Sequence, residues 1–182
     1  GQTAPTDWSL LLEQGMPGYP TKHMDWVNRC NRESLYIGDY LVRLKTTDVR
    51  YVPGTTKYTE GKPGMTSVLN SEASFLKKAE GRIVSEPEEG ADLYVGFFDV
   101  IPKEEQGDPG FFKEGEKTFF MVTNGYASKL EEEAAPLTQR VRLGIDLAEA
   151  GGTNCYWINP ETGKKEPLKA IGKEDDTTYF QV

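Results

Sequence analysis

A chain of 182 residues with 29 acidic against 21 basic side chains carries a formal charge of −8. That balance argues against binding nucleic acid or an anionic membrane through a broad basic surface, because such binding rests on Lys and Arg neutralising phosphates. The length allows one good core, or one β domain with a helical attachment, and no run approaches the roughly eighteen apolar residues of a membrane span.

Thr6 to Glu13, with Asp7 ahead of Trp8 and three leucines, reads as a short helix or a buried connector that Gly15, Pro17, Gly18 and Pro20 end. Thr21 then offers an N-cap for a long helix running to about Lys45. Val27, Cys30, Ser34, Ile37, Leu41 and Leu44 recur three and four apart, predicting one buried stripe, while Arg29, Arg32, Glu33 and Asp39 form the solvated side. Trp26 and Trp8 are expected to fix this helical segment in place. Thr46, Thr47 and Asp48 break the helix, and Val49 to Val52 opens a strand.

Pro53 to Met65 is a Gly/Pro/Thr loop and reads as a linker. Ser67 to Phe75 fits a short helix or extended chain equally. Strands are then predicted over 82–85, 91–101, 117–124, 139–146, 154–159, 166–171 and 177–182, divided by Gly, Pro and charged loops in the manner of a sandwich. Alternation is clearest in QRVRLGIDL, where Val141, Leu143, Ile145 and Leu147 face one way and Arg140, Arg142 and Asp146 the other. DLYVGFFDV and KTFFMVTN are more continuously apolar, which predicts a central pair covered on both faces. Between them, Phe111 and Phe112 sit in a charged loop and are expected to fold back over the domain. Asn159-Pro160-Glu161-Thr162-Gly163 predicts a hairpin turn with Gly at a left-handed position.

The sequence is therefore expected to give a mostly β fold, an antiparallel β-sandwich of immunoglobulin-like or related type, preceded by one long amphipathic helix. Residues 1–48 form the helical segment and 49–182 the sandwich.

Chemistry-bearing residues are sparse. His23 is the single histidine, so a multi-histidine metal site is excluded, and at a helix start it reads as an exposed residue. No P-loop, dinucleotide glycine pattern or nucleophile elbow occurs. The acidic runs at Glu86–Glu89, Glu104–Glu105, Glu131–Glu133 and Glu174–Asp176 lack calcium-loop spacing and read as solvated turns. Cys30 and Cys155 lack metal or redox spacing and read as two buried free thiols, with a disulfide between them as the alternative. No metal, cofactor or catalytic residue is assigned. The aromatics carry the one binding expectation: sugar rings stack their C–H faces on Trp or Tyr, and Tyr126 and Trp157 are the candidate carbohydrate contacts.

Laid out this way, the chain resembles the C-terminal part of bacterial glycoside-hydrolase-like (β/α)8-barrel proteins. Gly18, Pro20 and Thr21, then Trp26, Val27, Asn31 to Glu33, Leu41, Leu44 and Thr46 to Val49 match the last barrel helix and its exit. Leu93 to Phe98, Phe119 to Asn124, Arg140 to Leu147, Tyr156, Pro160 to Lys164 and Tyr179 to Val182 match the sandwich that follows. The resemblance implies an accessory domain that steadies or orients an upstream catalytic barrel in the same polypeptide. It further implies contact with poly- or oligosaccharide, a secreted, periplasmic or cell-surface location, and no catalysis by this chain. The paired carboxylates of such barrels come from strand ends that precede the last helix. The alternative is a free-standing secreted carbohydrate-binding or adhesin-like module.

Overall fold

The computed structural model describes residues 11–12, 19–20, 22–54, 75–108, 110–113, 115–116, 118–125 and 138–182. Trp8, Thr21, Tyr126, the acidic run 131–133, the linker loop beyond Gly54 and all but Phe75 of the ambiguous segment 67–75 lie outside them. The described residues divide into two compact units, one holding the helix with residues 158–166 and the other holding 43–157 with 167–182.

In the first unit, β1 (Leu11–Leu12) and β2 (Tyr19–Pro20) pair antiparallel, so the segment expected as a short helix or connector contributes strand. The helix α1 spans Lys22–Leu41. It stops short of Lys45 because Leu44 already pairs with Val100 in a sheet, and β3 runs over Leu44–Val52. Thr46 to Asp48 therefore lie within a strand, with an irregularity of pairing between Thr46 and Asp48. Strand pairing here overrides local turn propensity.

Among the described residues the second unit holds two antiparallel sheets. After β3 come β4 (Leu76–Ile83), β5 (Leu93–Val100), β6 (Thr118–Asn124) and β7 (Gln139–Asp146). Along the chain follow β8 (Tyr156–Ile158) and β9 (Lys165–Pro167), whose Ile158, Lys165 and Glu166 belong to the first unit, then β10 (Ala170–Glu174) and β11 (Thr177–Gln181) in the second. One sheet is ordered β3-β5-β6 and the other β10-β11-β7-β4, with β8 and β9 as a separate ribbon. Leu93, Val95 and Phe97 from the first sheet and Leu76, Ala79, Leu143, Ile145 and Phe180 from the second close a single buried core. Two sheets sharing one core through alternate residues of each strand make a sandwich. The alternation read in β7 holds, with Leu143 and Ile145 buried and Arg140 and Arg142 exposed.

β5 is the central strand of its sheet, but β6, expected to be central too, is an edge. The outer side of that sheet is covered by aromatics instead. Tyr51 meets Tyr94 at 5.5 Å between ring centroids, and Phe112 meets Phe119 at 4.9 Å. Phe112 is buried, and the guanidinium of Arg43 lies 4.2 Å from the centre of the Phe111 ring. The two phenylalanines thus fold back as the sequence predicts, removing apolar area from water.

Candidate functional site

The hairpin of β8 and β9 is set by its turn residues. Asn159 accepts from the amide of Gly163 at 2.8 Å through its carbonyl and from the amide of Glu161 at 2.9 Å through Oδ1. Its own amide donates to the Lys164 carbonyl at 2.9 Å, and its Nδ2 donates to Glu166 at 3.0 Å. Gly163 takes φ of +68°, a left-handed position that a residue without Cβ adopts at no steric cost.

This turn carries the aromatics of β8 to the surface, with Trp157 43% and Tyr156 53% exposed. An exposed indole presents the flat apolar face on which a sugar ring stacks. Consecutive strand residues point to opposite faces, so Tyr156 and Trp157 do not make one continuous platform. Tyr156 is an exposed aromatic that sequence reasoning did not single out for binding, since exposure in a three-residue strand leaves no periodicity to read. Tyr126 lies outside the described residues, so its spacing from Trp157 is not defined.

The same turn meets α1 on an unexpected side. Arg29 pairs with Glu33 at 2.7 Å and with Glu161 of the turn at 3.5 Å. The hydrogen bond that Arg29 Nε donates to Glu33, with the charges of Glu33 and Glu161, raises the pKa of the guanidinium further. Tyr40 donates to the Gly163 carbonyl, and the Tyr36 ring lies against the same glycine. Arg29, Glu33, Tyr36 and Tyr40 recur at helical spacing and form the face that meets the turn, with Tyr40 buried there. The stripe expected to be buried is the open one: Val27, Cys30, Ser34 and Leu41 are exposed and Ile37 is half-buried. The turn offers Arg29 a carboxylate and Tyr40 a carbonyl, and partners of that kind select the polar flank of the helix rather than its apolar stripe.

Among the described residues no group of three or more His, Cys, Asp or Glu is placed to hold a metal ion. Glu86, Glu88 and Glu89 sit in the turn after β4, and Glu104 and Glu105 in a short 3-10 helix over Lys103–Glu105. Glu174 ends β10, where Asp175 takes φ of 48° in the tight turn to β11. Both cysteines are free. Cys30 is exposed rather than buried, because it lies on the open stripe of α1, whereas Cys155 is half-buried against the core. Burial pushes the Cys155 thiol up to about 11, against a smaller opposite effect of the Tyr156 backbone amide. His23 lies in the first turn of α1 with its side chain outside the described set.

No protein-family model, no curated protein and no solved structure matches this chain.

Proposed function

We propose that this chain is a non-catalytic accessory β-sandwich domain of a secreted, periplasmic or cell-surface glycoside hydrolase, with α1 seated against an upstream catalytic barrel and the sandwich in contact with glycan. The open apolar stripe of α1 carries this reading. Trp26, Val27 and Leu41 are exposed along one side of a 20-residue helix, and burying such a stripe against a partner is the usual source of helix stability. The resemblance of the same segment to the last helix of a barrel supplies the partner.

The coding sequence upstream of this segment tests it. A barrel with two strand-end carboxylates is expected there, and the isolated chain is expected to be inactive on a panel of chromogenic glycosides. A signal peptide directly preceding this segment, or turnover by the isolated chain, overturns the reading. The exposure of Trp157 and Tyr156 supports a second reading, a free-standing carbohydrate-binding or adhesin-like module. On that reading neutral oligosaccharides quench the Trp157 fluorescence.

A further inference from the structure

The outer face of the β10-β11-β7-β4 sheet gathers positive charge on an otherwise acidic chain. Register places Arg82 opposite Arg140 and Glu80 opposite Arg142 across β4 and β7, and Arg142 opposite Gln181 across β7 and β11. Like charges directly opposite one another in a sheet cost stability, so the Arg82–Arg140 pair is not explained by folding. These residues line a depression of about 320 Å³, with Glu80, Arg82, Arg140, Arg142 and Gln181 on the sheet and Pro87 on the rim.

The cations differ in how far they are already committed. Arg82 pairs with Glu80 and donates to the Glu88 carbonyl at 3.2 Å, and Lys78 shares Glu80 at 3.2 Å. Arg142 is stacked over the Tyr179 ring at 4.3 Å, a geometry that holds the guanidinium plane while leaving its N–H edge for an acceptor. Tyr179 is itself held by donating to Glu174 at 3.0 Å. Arg140 is exposed and makes no ion pair or hydrogen bond through its side chain among the described residues. Among the described residues the Arg140 fork has no committed partner and the Arg142 fork is oriented.

We propose that this depression binds the oxyanion of an acidic sugar residue, a carboxylate or sulfate, with Arg140 and Arg142 as its donors. Planar forks of this kind match such anions with paired hydrogen bonds. The Gln181 amide is placed to serve a neighbouring hydroxyl, and Pro87 gives the rim an apolar wall for the ring. The volume is at the low end for ligand pockets, which run from roughly 300 Å³, and suits one sugar unit. A nucleic acid is disfavoured because its phosphates need an extended cationic track, which a chain of charge −8 does not offer. The assignment rests on the glycan-contact part of the proposed function.

Calorimetric titration of the intact chain tests it, using an oligogalacturonate, a sulfated oligosaccharide, a neutral oligosaccharide of equal length and inorganic sulfate. One of the two acidic oligosaccharides is expected to bind, more weakly as sodium chloride rises, with the neutral one at least about tenfold weaker. Arg140→Ala is expected to lose about tenfold in affinity with no fall in thermal midpoint, since the substitution relieves the repulsion with Arg82. Three results each overturn the site: neither acidic probe binding, inorganic sulfate binding as tightly as both, or Arg140→Ala binding as wild type. None of them bears on the accessory-domain reading, which stands or falls on the upstream barrel.

Discussion

Tyr40 donates its phenolic hydrogen to the carbonyl oxygen of Gly163 at 3.0 Å, across 123 positions of sequence. One turn earlier Tyr36 lies so close that a Cβ added to Gly163 would stand 3.3 Å from its Cβ and Cδ1. The turn and the helix are therefore held by contacts that a single atom tests. Tyr40→Phe is expected to cost about 1 kcal/mol, the net worth of a neutral hydrogen bond. Gly163→Ala adds a left-handed penalty of roughly 1–2 kcal/mol to the crowding. Amide exchange in α1 should quicken in both variants, more in the second.

The sandwich core gives a sharper contrast. Phe97 is buried and meets the Phe75 ring edge-on at 5.6 Å. Phe97→Ala is expected to lower unfolding free energy by about 3–5 kcal/mol, lost burial and cavity together. Val49, 60% exposed on the edge strand β3, should tolerate alanine within about 0.5 kcal/mol. Equilibrium urea denaturation reads both.

Two glycines separate close approach from mere flexibility. At Gly54, whose amide donates to the buried Asp92 carboxylate at 2.9 Å, a Cβ would stand 2.2 Å from the Gly90 carbonyl oxygen and 2.6 Å from the Ala91 carbonyl carbon. The obstacle is main chain, so Gly54→Ala must displace the entry to β5 and is expected to lower the thermal midpoint. Gly38, inside α1, has nothing within 4 Å of an added Cβ. Gly38→Ala is expected to stabilise the helix by about 0.8–1 kcal/mol, seen as greater ellipticity at 222 nm.

What sequence reveals here follows the range of the interaction. β7 is legible to the residue because inward Leu143 and Ile145 alternate with outward Arg140 and Arg142 within one strand. The hairpin is legible because Asn159 and Gly163 determine it locally. β4 is read only at its end, since Lys77, Lys78, Glu80 and Arg82 make it look like a polar loop. Its outer face is polar because it carries the charge ladder with β7, and that register is long-range. The same limit hides the face-to-face position of Arg82 and Arg140. On α1 the apolar spacing is legible but its expected burial is not met, because which face the turn takes depends on Glu161 and Gly163, far along the chain.

Charge on the outer sheet predicts an acid-side effect. Burial pushes the Glu80 carboxyl upward, but hydrogen bonds and charge from Lys78 and Arg82 outweigh it and leave the group below its ordinary value of 4.5. A lowered carboxyl binds its proton less readily in the folded state, so its stabilisation is present above pH 4.5 and is lost as pH falls through the folded value. Glu80→Gln should remove that component, and urea midpoints of the two proteins should converge on going down in pH from 4.5.

The two thiols predict opposite behaviour. Cys30 is exposed, while Cys155 packs against the core and its thiol is pushed up to about 11 from an ordinary 9.0. Near neutral pH a thiol raised by that much holds roughly a hundredfold less thiolate, so a disulfide reagent should label Cys30 first and leave Cys155 until the protein unfolds. Stability carries the same signature. Between 9.0 and about 11 the unfolded thiol has lost its proton and the folded one has kept it, so stability falls as pH rises through that window and is fully present below it. Cys155→Ala cancels this component. The difference between wild-type and variant unfolding free energies should be flat below pH 9 and shrink above it, whereas Cys30→Ala should leave the alkaline slope of the wild type in place.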